Sequence, residues 1–210
     1  MVSENLAIKD GDETAREKLI ETASLIMREG DTIDLSFSEL SIRSGLNSAL
    51  VKYYFGNKNG LMLALLERDM ANIVGSLGAL MSKDMPPEEK LRRHISGCID
   101  TYYNYPYLNR LLMRMVRDAP PAEAKRIAED YLQPISRAYE ALLSEGIKSG
   151  VFREMDPQMF YFSVTGATDR FFSARYVLQY CYNQDGVTEA MRDDYRQHSI
   201  DLIMAGILKR

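Results

Sequence analysis

Apolar residues recur along almost the whole chain at spacings of three and four, and no sustained alternation of apolar and polar residues appears. Such spacing is typical of amphipathic helices, because residues three and four apart lie on the same helix face. The pattern predicts about nine helices and no strand. The predicted fold class is therefore all-α, with a small N-terminal three-helix bundle followed by a larger helical domain.

Capping residues, glycines and prolines set the predicted helix boundaries. A capping box at Thr14 predicts the start of the first helix, and Gly30 predicts its end. Ser36 and Asn47 are the predicted caps of the two short helices that follow. Pro134 should bend the helix in which it lies, because proline cannot donate to the carbonyl four residues earlier. The other predicted helices cover about residues 58–82, 87–105, 107–118, 120–149, 157–180 and 187–208.

Composition bounds the class of protein. The chain has 210 residues, of which 46% are apolar and 27% charged, enough for one large domain or two small ones. Cys98 and Cys181 exclude a disulfide scaffold and suit a reducing compartment. No apolar run matches a membrane span and no signal-peptide pattern begins the chain, so we expect a cytoplasmic protein without a membrane partner. The net charge, 26 − 30 = −4, argues against nucleic acid as a partner.

One segment nevertheless has the pattern of a helix-turn-helix. Two predicted helices of under three turns are joined at Gly45, which leaves the second helix free to enter a major groove. Its outward positions are Ser48, Ala49, Lys52 and Tyr53, and the small residues among them permit close approach to base edges. The apolar positions expected to hold the two helices together are Phe37, Leu40, Leu46, Val51 and Phe55.

The charge of this segment differs from that of the whole chain. Residues 36–60 contain Arg43, Lys52 and Lys58 against Glu39, which gives 3 − 1 = +2. Residues 1–35 contain four basic and nine acidic residues, which gives 4 − 9 = −5. An acidic chain can therefore present a weakly positive surface to phosphates. The spacing alone fits equally well a helix pair that only packs within a bundle.

Residues 46–61, LNSALVKYYFGNKNGL, give a more specific signal. They resemble the end of the DNA-binding domain of the TetR/AcrR family, in which an aromatic-rich recognition helix closes on Phe before a Lys and a long apolar helix. Phe55, Lys58 and Leu61 match that pattern, and Ser36 stands where the family usually has Thr. Residues 150–157, GVFREMDP, resemble the family's link to its dimerising helices. The motif-level match covers residues 14–66.

This resemblance implies a homodimeric, ligand-responsive repressor that binds a palindromic operator in double-stranded DNA and is released by a small-molecule effector. It divides the chain into a flexible arm (1–12), a DNA-binding domain (13–60) and an effector-binding and dimerisation domain (61–210). Lys52 stands where the family usually has Tyr, so the operator sequence cannot be predicted. The implied phosphate contacts are Ser36, Tyr53, Tyr54 and Lys58, the implied base contacts are Asn47, Ser48 and Ala49, and Lys52 could contact either.

The C-terminal part is rich in aromatic residues, since ten of the 13 tyrosines lie between Tyr102 and Tyr182. Rings beside the helix break at Pro106 can give a cavity both apolar walls and hydroxyl groups, as ligand pockets need, although core filling is the alternative for each residue. The resemblance implies a pocket near helix 120–149 for a partly apolar effector. The predicted pocket residues are Tyr102, Tyr103, Tyr107, Met113, Phe162, Asp169, Phe172 and Tyr176.

The last two predicted helices carry apolar stripes that suit a dimer interface. Two such helices from each subunit would form a four-helix bundle around a two-fold axis. That symmetry would place two recognition helices on the half-sites of a palindrome. The predicted interface residues are Phe160, Val164, Ala167, Phe171, Leu178, Met191, Tyr195 and Leu202.

Other constellations predict no further chemistry. His94 and Cys98 are one helical turn apart, but without further His or Cys nearby no metal site is expected. Arg110, Arg114 and Arg117 share a helix face that suits solvent or an anionic ligand. No catalytic triad, phosphate loop or carboxylate pair appears, so neither an enzyme nor a cofactor is expected. The alternative hypotheses are an all-α carrier or enzyme with a structural helix pair, and a regulator that activates or acts without a ligand.

Overall fold

A computed structural model describes the backbone of residues 2–209 and the side chains of residues 14–209. Within those limits the chain contains helices and no strand, apart from an isolated antiparallel bridge between Phe152 and Leu208. The all-α prediction is confirmed. The helices are α1 (Val2–Gly30), α2 (Phe37–Ser44), α3 (Ala49–Phe55), α4 (Lys58–Met81), α5 (Pro87–Asn104), α6 (Leu108–Asp118), α7 (Pro121–Ile127), α8 (Gln133–Lys148), α9 (Pro157–Arg170), α10 (Arg175–Tyr182) and α11 (Glu189–Ile207).

Two of the predicted helices are each divided in the structure. The predicted helix 120–149 becomes α7 and α8, which are joined by the π-helical turn Ala128–Leu132. That turn lies immediately ahead of Pro134, where the missing N–H donor interrupts the regular hydrogen-bond pattern. The predicted helix 157–180 becomes α9 and α10. Neither proline nor glycine lies between them, so the sequence contains no local signal for this break.

Helix α1 begins at Val2, so the predicted start at Thr14 is wrong. The capping-box residues after Thr14 are also good helix formers, and the same letters therefore fit the interior of a helix. The boundary of an N-terminal arm over residues 1–12 remains a prediction. No helix of the described residues has the length and apolar character needed to cross a bilayer.

The first core cluster connects the N-terminal bundle to the rest of the chain. Leu19 of α1, Leu40 of α2 and Val51 of α3 are buried together against Leu65 of α4. Leu111 of α6 belongs to the same cluster. Helix α4 is therefore packed on both sides, against the N-terminal bundle and against the larger helical part.

The second core cluster lies among α5, α8, α9 and α11. Phe152, in the turn between α8 and α9, is almost completely buried at its centre. Its ring lies so close to Gly146 of α8 that a Cβ atom at residue 146 would be 2.0 Å from the ring. The backbone N–H of Phe152 also donates to the Gly146 carbonyl, at 2.9 Å. Glycine is therefore required at residue 146 by the packing of the ring.

Candidate nucleic-acid interface and ligand cavity

Local hydrogen bonds build the helix-turn-helix from the residues that predicted it. The Ser36 hydroxyl accepts the N–H of Glu39 at 3.5 Å and caps α2. Gly45 ends α2 with φ 67°, in the left-handed region that glycine enters without strain. Asn47 Oδ1 accepts the N–H of Ala49 at 2.8 Å and fixes the start of α3. These contacts fix the turn between the two helices.

The predicted DNA-contacting residues are all exposed or partly exposed, and we call them together the recognition surface. Tyr53 is 70% exposed, while Tyr54 packs partly against the core with its ring 4.8 Å from that of Tyr53. Phe37 is 41% exposed, so its predicted role in holding α2 to α3 is wrong; Leu40 and Val51 have that role. On this surface Ser36, Asn47, Ala49, Lys52 and Tyr53 are exposed, and Ser48, Tyr54 and Lys58 are partly exposed.

The cations of this region differ in how far they are neutralised. Arg43 pairs with Glu29 at 2.7 Å, so its positive charge is neutralised within the protein. Lys58, the first residue of α4, has its Nζ 3.9 Å from the exposed Asp34, a distance at which a phosphate could compete. Lys52 has no ion pair among the described residues and is exposed beside Tyr53. The recognition surface therefore offers an unpaired and a weakly paired cation.

The junction between α3 and α4 is unusually tight. Asn57 Oδ1 accepts the N–H of Gly60 at 3.0 Å and caps α4. A Cβ atom at residue 60 would lie 2.0 Å from the carbonyl oxygen of Phe55, the last residue of α3. Because a backbone oxygen cannot rotate aside as a side chain can, the absence of a side chain at Gly60 sets the position of the recognition helix on α4.

Two arginines of α6 hold the loop that leads into the helix-turn-helix. The Arg110 guanidinium pairs with the carboxylate of Asp31 and also donates to the Asp31 carbonyl. Arg114 donates to the Ile33 carbonyl at 3.1 Å and lies 3.3 Å from Asp34. These two side chains are therefore engaged with the loop before α2, whereas Arg117 is exposed and pairs with its neighbour Asp118.

A buried polar network connects three helical segments. The Tyr107 hydroxyl, at the start of α6, donates to Asp69 of α4 at 2.8 Å and lies 2.7 Å from the Ser24 hydroxyl of α1. Arg68 donates to Asp69 at 2.9 Å and to Glu21 of α1 at 2.8 Å. Burial raises the pKa of Asp69, while the charge of Arg68 opposes that rise. The network fixes the position of α1 relative to α4.

A cavity of about 690 Å³ lies among α4, α5, α6, α8 and α9. Four of the predicted pocket residues line it: Tyr102, Met113, Phe162 and Asp169. Leu132, Ile135 and Tyr139 place its wall at the π-helical turn and the start of α8, beside Pro134 as expected. The volume is within the range of sites for drug-sized ligands.

The other four predicted pocket residues lie elsewhere, so this part of the prediction is wrong. Tyr103 and Phe172 line a separate cavity of about 200 Å³ near the end of α1. Tyr107 is fully buried in the polar network, and Tyr176 is 67% exposed on α10. Clustering of aromatic residues along the sequence indicated the region but not which helix face borders the cavity.

Sequence reasoning also missed a polar part of the cavity wall. Asp69 and Asn72 of α4 line it, as do His94 and Cys98 of α5 and Tyr161 of α9. These residues belong to helices far apart in sequence, so only packing brings them together. The one available signal was the four-residue spacing of His94 and Cys98, which places both on one face of α5.

The groups around His94 are held in uncharged forms. His94 Nε2 lies 2.7 Å from the Tyr139 hydroxyl, and burial lowers the pKa of His94 to about 4. Burial raises the pKa of Cys98 to about 12, against the effect of a hydrogen bond with Tyr139. Cys98 Sγ is 3.6 Å from His94 Nε2, but no group of three or more metal-ligating residues occurs among the described side chains.

The low pKa of His94 gives a pH dependence of stability. Because the unfolded chain takes up this proton near pH 6.5 and the folded chain near pH 4, stability should be lost as pH falls through that window and be fully present above it. We expect up to about 2 kcal/mol of this loss at pH 5, measured by urea unfolding at pH 5 and pH 8. His94→Gln should remove that part of the loss, and His198→Gln, at an exposed position, should not. Equal pH dependence in the His94→Gln variant would contradict the assignment.

The structure divides the predicted dimer-interface residues into two groups. Phe160, Val164 and Leu178 are buried within the protomer, so their predicted contact with a partner is wrong. Phe171 stacks on Tyr195 at 4.1 Å, and the Tyr195 hydroxyl donates to the carbonyl of Ala167 at 2.5 Å. The predicted stripe therefore faces the neighbouring helices of the same chain, where Met191 is also partly buried.

The outward side of α9 and α11 carries other apolar residues. Met159, Phe162 and Leu202 are each more than 60% exposed. Of these only Leu202 was among the predicted interface residues. Exposed apolar side chains on neighbouring helices are typical of surfaces that contact another protein.

Comparisons with known proteins agree with this arrangement. A family model described as tetracycline repressor-like, C-terminal domain, matches residues 84–210. The HTH-type transcriptional regulator BetI 1 of Chromohalobacter salexigens is 27% identical over 100 residues, which cover 47% of this chain and 48% of that relative. The match thus spans about half the length of this curated relative.

Solved structures share the fold over nearly the whole chain. The ketosteroid transcriptional regulator KstR2 of Mycobacterium tuberculosis superposes with a TM-score of 0.71 at 16% identity, covering 93% of this chain and 95% of that one. The transcriptional regulator FadR from Bacillus subtilis, in complex with stearoyl-CoA, superposes with a TM-score of 0.67 at 18% identity, covering 90% and 98%. At these identities the likeness is one of fold.

Proposed function

This chain belongs to the TetR/AcrR family of tetracycline repressor-like transcriptional regulators, and we propose that it is a repressor that binds a palindromic operator as a homodimer and is released by a small-molecule effector. The observation that carries the proposal is that one helix, α4, contributes both to the recognition surface and to the cavity wall. Helix α4 begins with Lys58 at that surface and contributes Asp69 and Asn72 to the cavity. A molecule in the cavity therefore contacts the helix that supports the DNA-binding residues.

The proposed DNA contacts follow the exposure of the side chains. Ser36, Tyr53 and Lys58 would contact phosphates, and the positive end of the α4 dipole would assist Lys58. Asn47 uses Oδ1 to accept the N–H of Ala49, which leaves its amide N–H groups for a base edge. Tyr54, Ser48 and Ala49 complete the surface, and Lys52 would contact either a phosphate or a guanine edge.

Two structural connections support the proposed coupling between effector and operator. Asn109 and Met113 line the cavity on α6, and the same helix holds the loop before α2 through Arg110 and Arg114. The Asp69–Tyr107–Ser24 network connects the cavity wall to α1. Effector binding would release the operator only if the effector binds the DNA-free arrangement more tightly, and about 3 kcal/mol of difference changes the ratio more than 100-fold.

The dimer in this proposal uses the outward side of α9 and α11. Met159, Phe162 and Leu202 would meet their counterparts across a two-fold axis. Each subunit would then contribute one recognition surface to a palindromic site. An α9–α11 interface also brings the partner next to the cavity, because Phe162 lines it.

Selection of bound DNA from a random pool tests the proposal directly. The full chain should enrich a palindrome, and its complex should weaken steeply as salt rises. A fragment with the two half-sites scrambled is the control. No sequence-selective binding at low salt would reject the regulator and favour an all-α ligand carrier whose helix pair is only structural.

Replacing Lys58 with alanine should weaken operator binding similarly across operator variants, because a phosphate contact carries no base preference. The slope of log affinity against log salt concentration should flatten by about one unit for each subunit that binds the operator. Lys83→Ala, just beyond the other end of α4, is the matched control and should leave both quantities unchanged. An unchanged slope in a salt titration of Lys58→Ala would remove Lys58 from the set of phosphate contacts.

A further inference from the structure

The wall of the large cavity combines aromatic rings with excess negative charge. Its rings come from Tyr102, Tyr105, Tyr139, Tyr161 and Phe162. Its charged residues are two carboxylates, Asp69 and Asp169, and one guanidinium, Arg93. Arg93 Nε donates to Glu89 at 2.7 Å and is already paired. With Arg93 paired, the remaining charged groups of the cavity wall are carboxylates, so a ligand would meet negative charge there.

The two carboxylates differ in their hydrogen bonds. Asp69 is satisfied on both oxygens, since Oδ1 accepts from Arg68 at 2.9 Å and Oδ2 accepts from Tyr107 at 2.8 Å. Asp169 Oδ2 accepts a long bond from Ser173, at 3.4 Å, and Asn109 is a second hydrogen-bonding side chain beside this carboxylate. Asp169 Oδ1 is buried and has no hydrogen-bond partner among the described residues. Of the two carboxylates, only Asp169 thus has an oxygen without a hydrogen-bond donor, and the same residue lines the cavity.

Among the described side chains, no cation pairs with that oxygen. Burial raises the pKa of Asp169, while hydrogen bonds from Asn109 and Ser173 and the charge of Arg110 oppose that rise. Both terminal nitrogens of Arg110 donate to Asp31, and its Nε has no hydrogen-bond partner within the described part of the chain. Arg170, next in the chain, is exposed. A buried carboxylate oxygen without a hydrogen-bond donor raises the free energy of the folded protein. A bound molecule that supplies the donor would remove this cost, and the gain would add to its affinity.

We propose that the effector is an amphipathic amine, with a protonated nitrogen that donates to Asp169 and an apolar body among the rings. An ammonium group binds a carboxylate through charge-assisted hydrogen bonds, and aromatic faces attract the same charge. The cavity, at about 690 Å³, accommodates an apolar body of drug size. This inference rests on the proposed function, since it assigns the chemical class of the effector of that regulator.

Three probes of one shape test the inference on the unaltered chain. Phenylbutylamine carries a positive charge at pH 7, phenylbutanol is a neutral donor, and phenylbutyrate carries a negative charge. Calorimetric titration should give phenylbutylamine an affinity at least about tenfold higher than the other two, as expected for a charge-assisted contact. Equal or tighter binding of the alcohol or the acid would overturn the inference.

A variant of the same shape that lacks the carboxylate charge locates the contact. Asp169→Asn should reduce the affinity for phenylbutylamine by about tenfold or more and leave that for phenylbutanol nearly unchanged. Asp84→Asn, which makes the same change of charge at an exposed site, should alter neither. An unchanged amine affinity in Asp169→Asn would also overturn the inference.

Operator binding is measured separately, so that the two proposals can fail independently. A chain that selects DNA but shows no preference for the amine keeps the proposed function and loses the effector class. A chain that binds the amine through Asp169 but selects no DNA keeps the amine site and loses the regulator. Release of a selected operator by phenylbutylamine, absent in Asp169→Asn, is the result expected if both hold.

Discussion

Replacing Gly60 with alanine is expected to reduce operator affinity by about 100-fold or more and to lower the free energy of unfolding by about 1–3 kcal/mol. The added Cβ would lie 2.0 Å from the carbonyl oxygen of Phe55 and 3.0 Å from its carbonyl carbon. Relief of that overlap requires the end of α3 to move away from α4, which displaces Tyr53 and Lys52 from the recognition surface. Gel shifts with a selected operator and urea unfolding measure the two effects.

Gly75→Ala is the matched control on the same helix. No heavy atom lies within 4 Å of a Cβ placed at residue 75, so the change only reduces the conformational entropy of the unfolded chain. We expect it to raise stability by about 0.5–1 kcal/mol without weakening operator binding. If Gly60→Ala behaved like Gly75→Ala, the tight α3–α4 junction would not determine the recognition surface.

Replacing Phe152 with alanine should lower the free energy of unfolding by about 3–5 kcal/mol. The ring is 2% exposed and occupies the centre of the second core cluster, so its removal leaves a cavity that the surrounding helices cannot fill. Denaturant midpoints and slopes measure the loss. Ile42→Ala is the control, because Ile42 is 78% exposed and its truncation should change stability by no more than about 0.5 kcal/mol.

A double-mutant cycle connects this prediction to the glycine beneath the ring. Gly146→Ala alone should destabilise by about 1–3 kcal/mol, because the new methyl group overlaps the Phe152 ring. In the Phe152→Ala background that overlap is gone, so the second substitution should cost much less. Additive losses would mean that the ring and residue 146 do not compete for the same space.

The recognition surface was predictable because its determinants are local. Ser36, Gly45 and Asn47 fix caps and a turn through bonds to residues two to four positions away, and each acts in the structure as its residue type suggests. The tight contact at Gly60 also joins near neighbours, but no sequence pattern indicates that the carbonyl oxygen of Phe55 lies so close to it. Local pattern therefore predicts the motif and leaves its closest contact to the structure.

The cavity and the outward surface were predictable only in part. His94, Asp69 and Tyr139 line the cavity from three different helices, so the faces that border it depend on how those helices pack. The apolar stripe through Phe160 and Val164 indicated a buried face correctly, but a stripe does not distinguish the chain's own core from a partner. The break between α9 and α10 likewise follows from packing, since Phe172 in that turn is buried.

The length of α4 has a mechanical consequence. Its 24 residues extend over about 36 Å, and no proline softens it. If the Asp69–Tyr107 contact near its middle acts as a fulcrum, α4 is a rigid lever with the cavity on one arm and Lys58 at the tip of the other. A tilt of about 6° would then move that tip by roughly 2 Å, half of what the full length would give. In a dimer the displacements of the two Lys58 ends add, and they are to be compared with a half-site spacing of about 34 Å. The position of the Asp69–Tyr107 contact along α4 would therefore set how far a ligand of given size moves the two recognition surfaces out of register with the operator.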